Sequence, residues 1–191
     1  MGSELSPETR RALLALARRS IVTRLAQGRV LVKGEDYAEV APQPRGAFVT
    51  LTDRNGELRG CIGHVLPHLP LDETVVRMAV AAALEDPRFD PVTPGEVPSL
   101  HIEISALTVP EPVPSPDAIV VGRHGLIVSR GWAKGLLLPQ VPGEWGWDRE
   151  EFLRHTCLKA GLPPDAWRDP RTKIETFEAE VWGEEGDEVS R

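Results

Sequence analysis

Apolar residues at Leu13, Leu14, Leu16, Ala17, Ile21 and Leu25 recur at helical spacing, which predicts a helix with one face against a core. Ser6-Pro7-Glu8 opens it with a capping hydroxyl and a proline at the first helical position, and Gly28 supplies the stop. A proline-rich stretch runs to Arg45. Ala47-Phe48-Val49-Thr50-Leu51 and Leu58 to Val65 then read as two strands joined through Asn55-Gly56, a strong short-range hairpin signal. A second helix is expected from about Leu71 to Glu85. Asp72 and Glu73 lie in its first turn, and Met78, Ala79, Ala82 and Ala83 form a stripe of mostly small side chains suited to close packing on a sheet. Pro87 ends it.

Beyond the Pro91–Pro98 linker, Leu100 to Leu107 alternates with period two. Ile102, Ile104 and Ala106 are expected in the core, with His101, Glu103 and Ser105 on the other face, either solvated or lining a pocket. After a second proline-rich linker, Ile119–Val121, Leu126–Val128 and Leu136–Leu138 read as three short strands. Asp148 and Glu151 then start a helix in capping-box fashion, and Lys159-Ala160-Gly161 ends it. A strand follows at about 174–182, with Phe177, Ala179 and Val181 on one face and Glu178 and Glu180 on the other. An acidic tail from Gly183 is expected to fray. Strands outnumber helices without regular alternation, so the fold class is α+β, mostly antiparallel sheets with flanking helices.

The 191 residues suffice for a sizeable core. No run of about 20 apolar residues spans a membrane, and Met1-Gly2-Ser3-Glu4 lacks the opening of a secretory signal, so the expected location is cytoplasmic. The two cysteines, Cys61 and Cys157, are far apart and read as reduced thiols; no metal-ligand spacing or cofactor motif is present. Cys157 reads as a buried apolar residue. A net charge of -7 argues against nucleic acid as a partner. The charge is uneven: the first 60 residues carry ten Lys/Arg against seven Asp/Glu, with Arg10, Arg11, Arg18, Arg19, Arg24 and Arg29 assigned to the first helix. Few amides and many prolines fit a thermophile.

Candidate chemistry centres on Leu58-Arg59-Gly60-Cys61-Ile62-Gly63. On a strand, Arg59 and Cys61 share a face roughly 7 Å apart, and a cation beside a thiol favours the nucleophilic thiolate. The glycines mark either close approach of a ligand or a bulge. His64, His101 and His124 are the possible bases: His64 points to the other strand face unless the chain bends at Gly63, His101 shares a polar face with Glu103, and His124 is preferred because in its turn it is freer to reach a cleft. Asp86 and Arg88, at the irregular end of the second helix, form either a local pair or substrate contacts. Gln140 and Glu103 complete the candidate substrate-binding set. No phosphate loop or serine elbow competes. RNA binding lacks a stacking platform near the central strands, where only Phe48 is aromatic.

Leu58–Gly63, Ala81-Ala82-Ala83 leading to Asp86-Pro87-Arg88-Phe89, Ile102–Ser105, Gly122–Leu126 and Gly135–Val141 occur in an order that resembles the AMMECR family, and Phe152-Leu153, Cys157 and Lys159–Leu162 extend the resemblance. It covers about Pro7 to Trp182. It implies one domain over residues 1–182, built as a larger and a smaller lobe sharing a cleft, with 183–191 as tail. It also implies association with Memo-type and radical SAM proteins in a pathway that modifies a metabolite, nucleotide or protein. The alternative expectation is a non-catalytic adaptor that docks a partner protein through the cleft or the first helix.

Overall fold

The Ser6 hydroxyl accepts the N–H of Thr9 and Gly28 closes the other end at φ 70°, so α1 runs Pro7–Gln27 as its punctuation predicts. The computed structural model describes residues 4–184. The chain forms two compact units: one comprises the residues up to Leu107 and those from Glu180 on, the other Thr108–Ala179. The fold is α+β, with an antiparallel sheet in each unit.

In the larger unit, β1 (Ala47–Thr52) pairs with β2 (Leu58–His64) and β3 (His101–Leu107), and β8 (Ala179–Gly183) lies beside β3, giving the order β2-β1-β3-β8. The β1–β2 connection is a five-residue loop. The Asp53 carboxylate accepts the N–H groups of Asn55 and Glu57 and holds its own charge below the usual range by doing so; Gly56 takes φ 79°. Strand alternation puts Val49, Leu51, Ile102 and Ile104 on one face, fully buried beneath Leu13, Ala17 and Ile21 of α1 and Val75, Ala79 and Ala82 of α2 (Leu71–Leu84). The small stripe of α2 does pack closely: a Cβ on Gly60 would overlap the carbonyl oxygen of Ala82.

In the smaller unit the order is β4-β7-β5-β6, with β4 Glu111–Pro112, β5 Gly125–Arg130, β6 Ala133–Leu137 and β7 Lys173–Phe177. A short α3 (Val141–Trp145) precedes α4 (Arg149–Lys159), whose capping box from Asp148 and Glu151 is intact. Fully buried Phe152, Leu153 and Cys157 of α4 pack on Leu126 and Val128, and burial pushes the Cys157 thiol upward.

Three sequence expectations are corrected. Ile119–Val121 is no strand: the Val120 carbonyl accepts the N–H groups of Arg123 and His124, so the backbone turns there. The last predicted strand breaks at Glu178 into β7 and β8, one per sheet, and Val181 is half exposed while Phe177 is buried. Arg29 lies beyond the end of α1 and clamps Asp36 at 2.6 and 2.8 Å. Of the expected frayed tail, Gly183 belongs to β8 and Glu184 is bonded through its backbone N–H to the Ile102 carbonyl; the remainder lies outside the described residues.

Candidate functional site

Register builds the site. Thr50 stands opposite Cys61 on one side and Glu103 on the other, so the three side chains form a row across β2, β1 and β3 on the face away from α1 and α2. All three are half-buried. The Thr50 hydroxyl donates to Cys61 Sγ at 3.2 Å. Phe48 stands two residues along β1, lying over Gly63, where any Cβ would collide with its ring.

β2 is the edge strand, so Cys61 presents its own N–H and C=O outward with no neighbouring strand to receive them. The turn after α2 receives both. Asp86 accepts the Cys61 N–H at 2.8 Å, and Arg88 donates to the Cys61 carbonyl at 3.3 Å while gripping Asp86 at 2.7 and 2.9 Å. The Asp86 carboxyl is buried yet charged. The Arg88 guanidinium holds it well below the ordinary carboxylate range, against the opposing effect of burial and with help from the Cys61 and Arg88 N–H groups. Arg88 is raised, chiefly by Asp86 and to a smaller degree by the charge of Cys61.

Arg59 points elsewhere. It donates to Glu96 at 2.9 Å and to the Asp90 carbonyl at 2.8 Å, and it holds Glu96 down at about 2 with the help of Thr93. Arg59 therefore fastens β2 to the linker before β3, and the cation bonded directly to Cys61 is Arg88. His64 sits at the end of β2 with Nδ1 2.9 Å from the Leu66 carbonyl, and His101 contacts the Glu184 carbonyl.

His124 and Gln140 belong to the smaller unit. His124 accepts the Val120 N–H at Nδ1 (3.2 Å), leaving Nε2 to carry the proton 3.8 Å from Glu178, which Arg123 also holds. Gln140 caps α3 with its carbonyl and is exposed. The sheet thus groups Cys61 and Glu103, and the α2 turn adds Asp86 and Arg88. Thr50 and Glu96 escape the sequence reading: hairpin register would reveal Thr50 once the loop length is known, while Glu96 leaves no local signal.

Among the described residues, no group of three or more His, Cys, Asp or Glu side chains could hold a metal, and no helix is long and apolar enough to cross a membrane. Two surface hollows lie elsewhere: one of about 420 Å³ lined by Asp148, Arg154 and Trp167, and one of about 460 Å³ lined by Lys33, Tyr37, Glu73 and Arg77.

The chain is an α+β protein with two antiparallel sheets and a thiol braced on an edge strand. The chain belongs to the AMMECR1 family, whose pattern it matches over residues 14–182. It is 48% identical over 188 residues to a protein of Methanothermobacter thermautotrophicus (95% of this chain, 97% of that one) and 50% identical over 182 residues to one of Thermococcus gammatolerans (91% and 89%). The crystal structure of an uncharacterized protein from Pyrococcus horikoshii superposes with a TM-score of 0.82 at 45% identity, covering 95% of this chain and 94% of that one. These relatives come from archaea of hot habitats, in keeping with the composition.

Proposed function

We propose that the Cys61 row is a substrate site in which the thiol is the nucleophile, serving modification of a metabolite, nucleotide or protein in a cytoplasmic pathway shared with Memo-type and radical SAM proteins. The supporting observation is the Thr50 hydroxyl donating to Cys61 Sγ at 3.2 Å, because an O–H donor on sulfur favours the thiolate. Arg88 brings positive charge to the same residue, and Asp86 fixes the strand beneath it. Glu103, across Thr50, serves in this reading as the carboxylate that receives a proton or binds a substrate donor. His124 as base, Gln140 as a substrate contact and Arg59 as a cation beside the thiol take no part in this reading.

A non-catalytic adaptor on the arginine-rich helix is disfavoured by how three of its arginines, and Arg29 just beyond it, are used. Arg10 pairs with Glu4 and Glu180, Arg18 with Glu184, Arg24 with the Gly28 carbonyl and Arg29 with Asp36.

The test is iodoacetamide alkylation of the folded protein, with Cys61→Ser and Thr50→Val as comparisons. Cys61 is expected to react without unfolding. Thr50→Val is expected to slow it about five-fold at neutral pH, the equivalent of one hydrogen bond of about 1 kcal/mol. A thiol that reacts only after denaturation, or a rate indifferent to Thr50, would sink the proposal.

A further inference from the structure

Trp132 has a relative exposure of 104%, greater than that of any other large apolar residue described. It occupies the second position of a two-residue turn between β5 and β6: Arg130 pairs with Ala133, and Gly131 adopts φ 59°. Gly131 satisfies the demand of such a turn for positive φ at its first central residue. The indole contributes nothing to that geometry and buries nothing, so its presence has no explanation in the fold.

Its surroundings are basic in a chain of net charge -7. Ser129 pairs with Lys134 on β6 and with Lys173 on β7, which sets two exposed lysines on one sheet face, one on each side of a hydroxyl and about 10 Å apart by strand spacing. Among the described residues neither lysine is within 4.0 Å of a carboxylate. Arg130 and Arg171 share one acid, Asp169, at 3.3 and 2.6 Å. With Glu175 two residues along β7 on the lysines' face, four cations stand against two carboxylates, which leaves this end of the sheet locally positive.

We propose that this hairpin tip binds single-stranded nucleic acid, with a base stacked on Trp132 and phosphates held by Lys134 and Lys173. A free indole takes any base, and two ammonium groups without a carboxylate partner among the described residues, beside a hydroxyl, suit the backbone. An acidic protein partner fits less well. The core of a protein interface gathers several apolar groups, whereas the chain neighbours of Trp132 are Arg130, Gly131, Ala133 and Lys134.

The test is fluorescence anisotropy with a labelled oligouridylate, beginning near 50 mM salt, with polyglutamate as competitor. Binding is expected in the range of about 10⁻⁴ to 10⁻⁶ M, and Trp132→Ala should weaken it by at least about five-fold without changing the slope against log salt. Lys134→Gln with Lys173→Gln should make that slope shallower by about 1.4, two single-strand contacts' worth. Thermal melts of the variants should match the parent because all three side chains are exposed. No anisotropy change up to about 10⁻⁴ M, an unaffected Trp132→Ala, or displacement by polyglutamate at equal charge would each overturn the assignment.

Discussion

The Asp86 carboxylate accepts the backbone N–H of Cys61 at 2.8 Å, so a buried anion stands where a neighbouring strand would otherwise supply a carbonyl. Asp86→Asn is expected to cost roughly 1.5–3 kcal/mol, the contribution of a hydrogen bond to a charged group. The sign with pH follows from Arg88 holding the Asp86 carboxyl below its ordinary value of about 3.9. A depressed carboxyl adds stability above that value, and the contribution is lost as pH falls below it. Urea midpoints at pH 7 and near pH 3 should therefore differ less in Asp86→Asn than in the parent protein. An equal acid loss in both would show that Asp86 does not carry this dependence.

Gly60→Ala tests the contact between β2 and α2. The new methyl would overlap the Ala82 carbonyl, part of a helix backbone that cannot turn aside as a side chain can. A loss of about 1–3 kcal/mol is expected, read as a Tm lower by roughly 2–4 °C per kcal/mol. Gly95→Ala is the control, since a Cβ there meets nothing within 4 Å and its φ is not positive. It should be neutral or slightly stabilising.

Tyr37 is the only tyrosine, so its phenolate absorbance can be assigned without mutation. Burial first, then the charges of Asp72 and Glu73, push its hydroxyl up to about 12. A raised value means that folding favours the neutral phenol: this contribution is complete below the free value of about 10 and is lost as pH rises towards 12. The folded protein should titrate near 12 and the unfolded chain near 10. A native midpoint at the free value would refute the packing of Tyr37 against Leu16, Leu31 and Val76.

Arg59→Met should leave Cys61 alkylation close to that of the parent while weakening the attachment of the 90–96 segment, because Arg59 holds Glu96 and the Asp90 carbonyl. Thermal stability is the second readout. The Glu96 carboxyl should return from about 2 towards its ordinary value once the guanidinium is gone. A large loss of thiol reactivity without loss of stability would restore Arg59 to the chemistry.

Local signals carried much of the fold. Ser6 and Gly28 bound α1, Asp148 starts α4, and the alternation of β3 divides Ile102 and Ile104 from His101 and Glu103 as the chain suggests. The failures share a cause. Ile119-Val120-Val121 has the composition of a strand, but the turn at 120–124 consumes its carbonyl, and no apolar count records that. Arg59 beside Cys61 in sequence suggests an ion pair with the thiol, yet side-chain direction is decided by Glu96, 37 residues away. Asp86 and Arg88 were legible as a polar junction. Their attachment to both sides of the Cys61 backbone depends on β2 being an edge strand, which is a property of the sheet.

The strand beside β3 comes from the far end of the chain. Glu180 takes the Leu5 N–H, Arg10 and Arg45, and Glu184 takes Arg18. During synthesis, at roughly 5–20 residues per second, Thr108–Ala179 is the uninterrupted piece, able to finish before the sheet that carries Cys61. A ribosome that has made β1, β2 and β3 still holds a three-stranded sheet whose β3 edge is bare and whose Arg10, Arg18 and Arg45 lack these acids. The thiol site, Glu103 included, is thus assembled within the first 107 residues but locked only when β8 emerges.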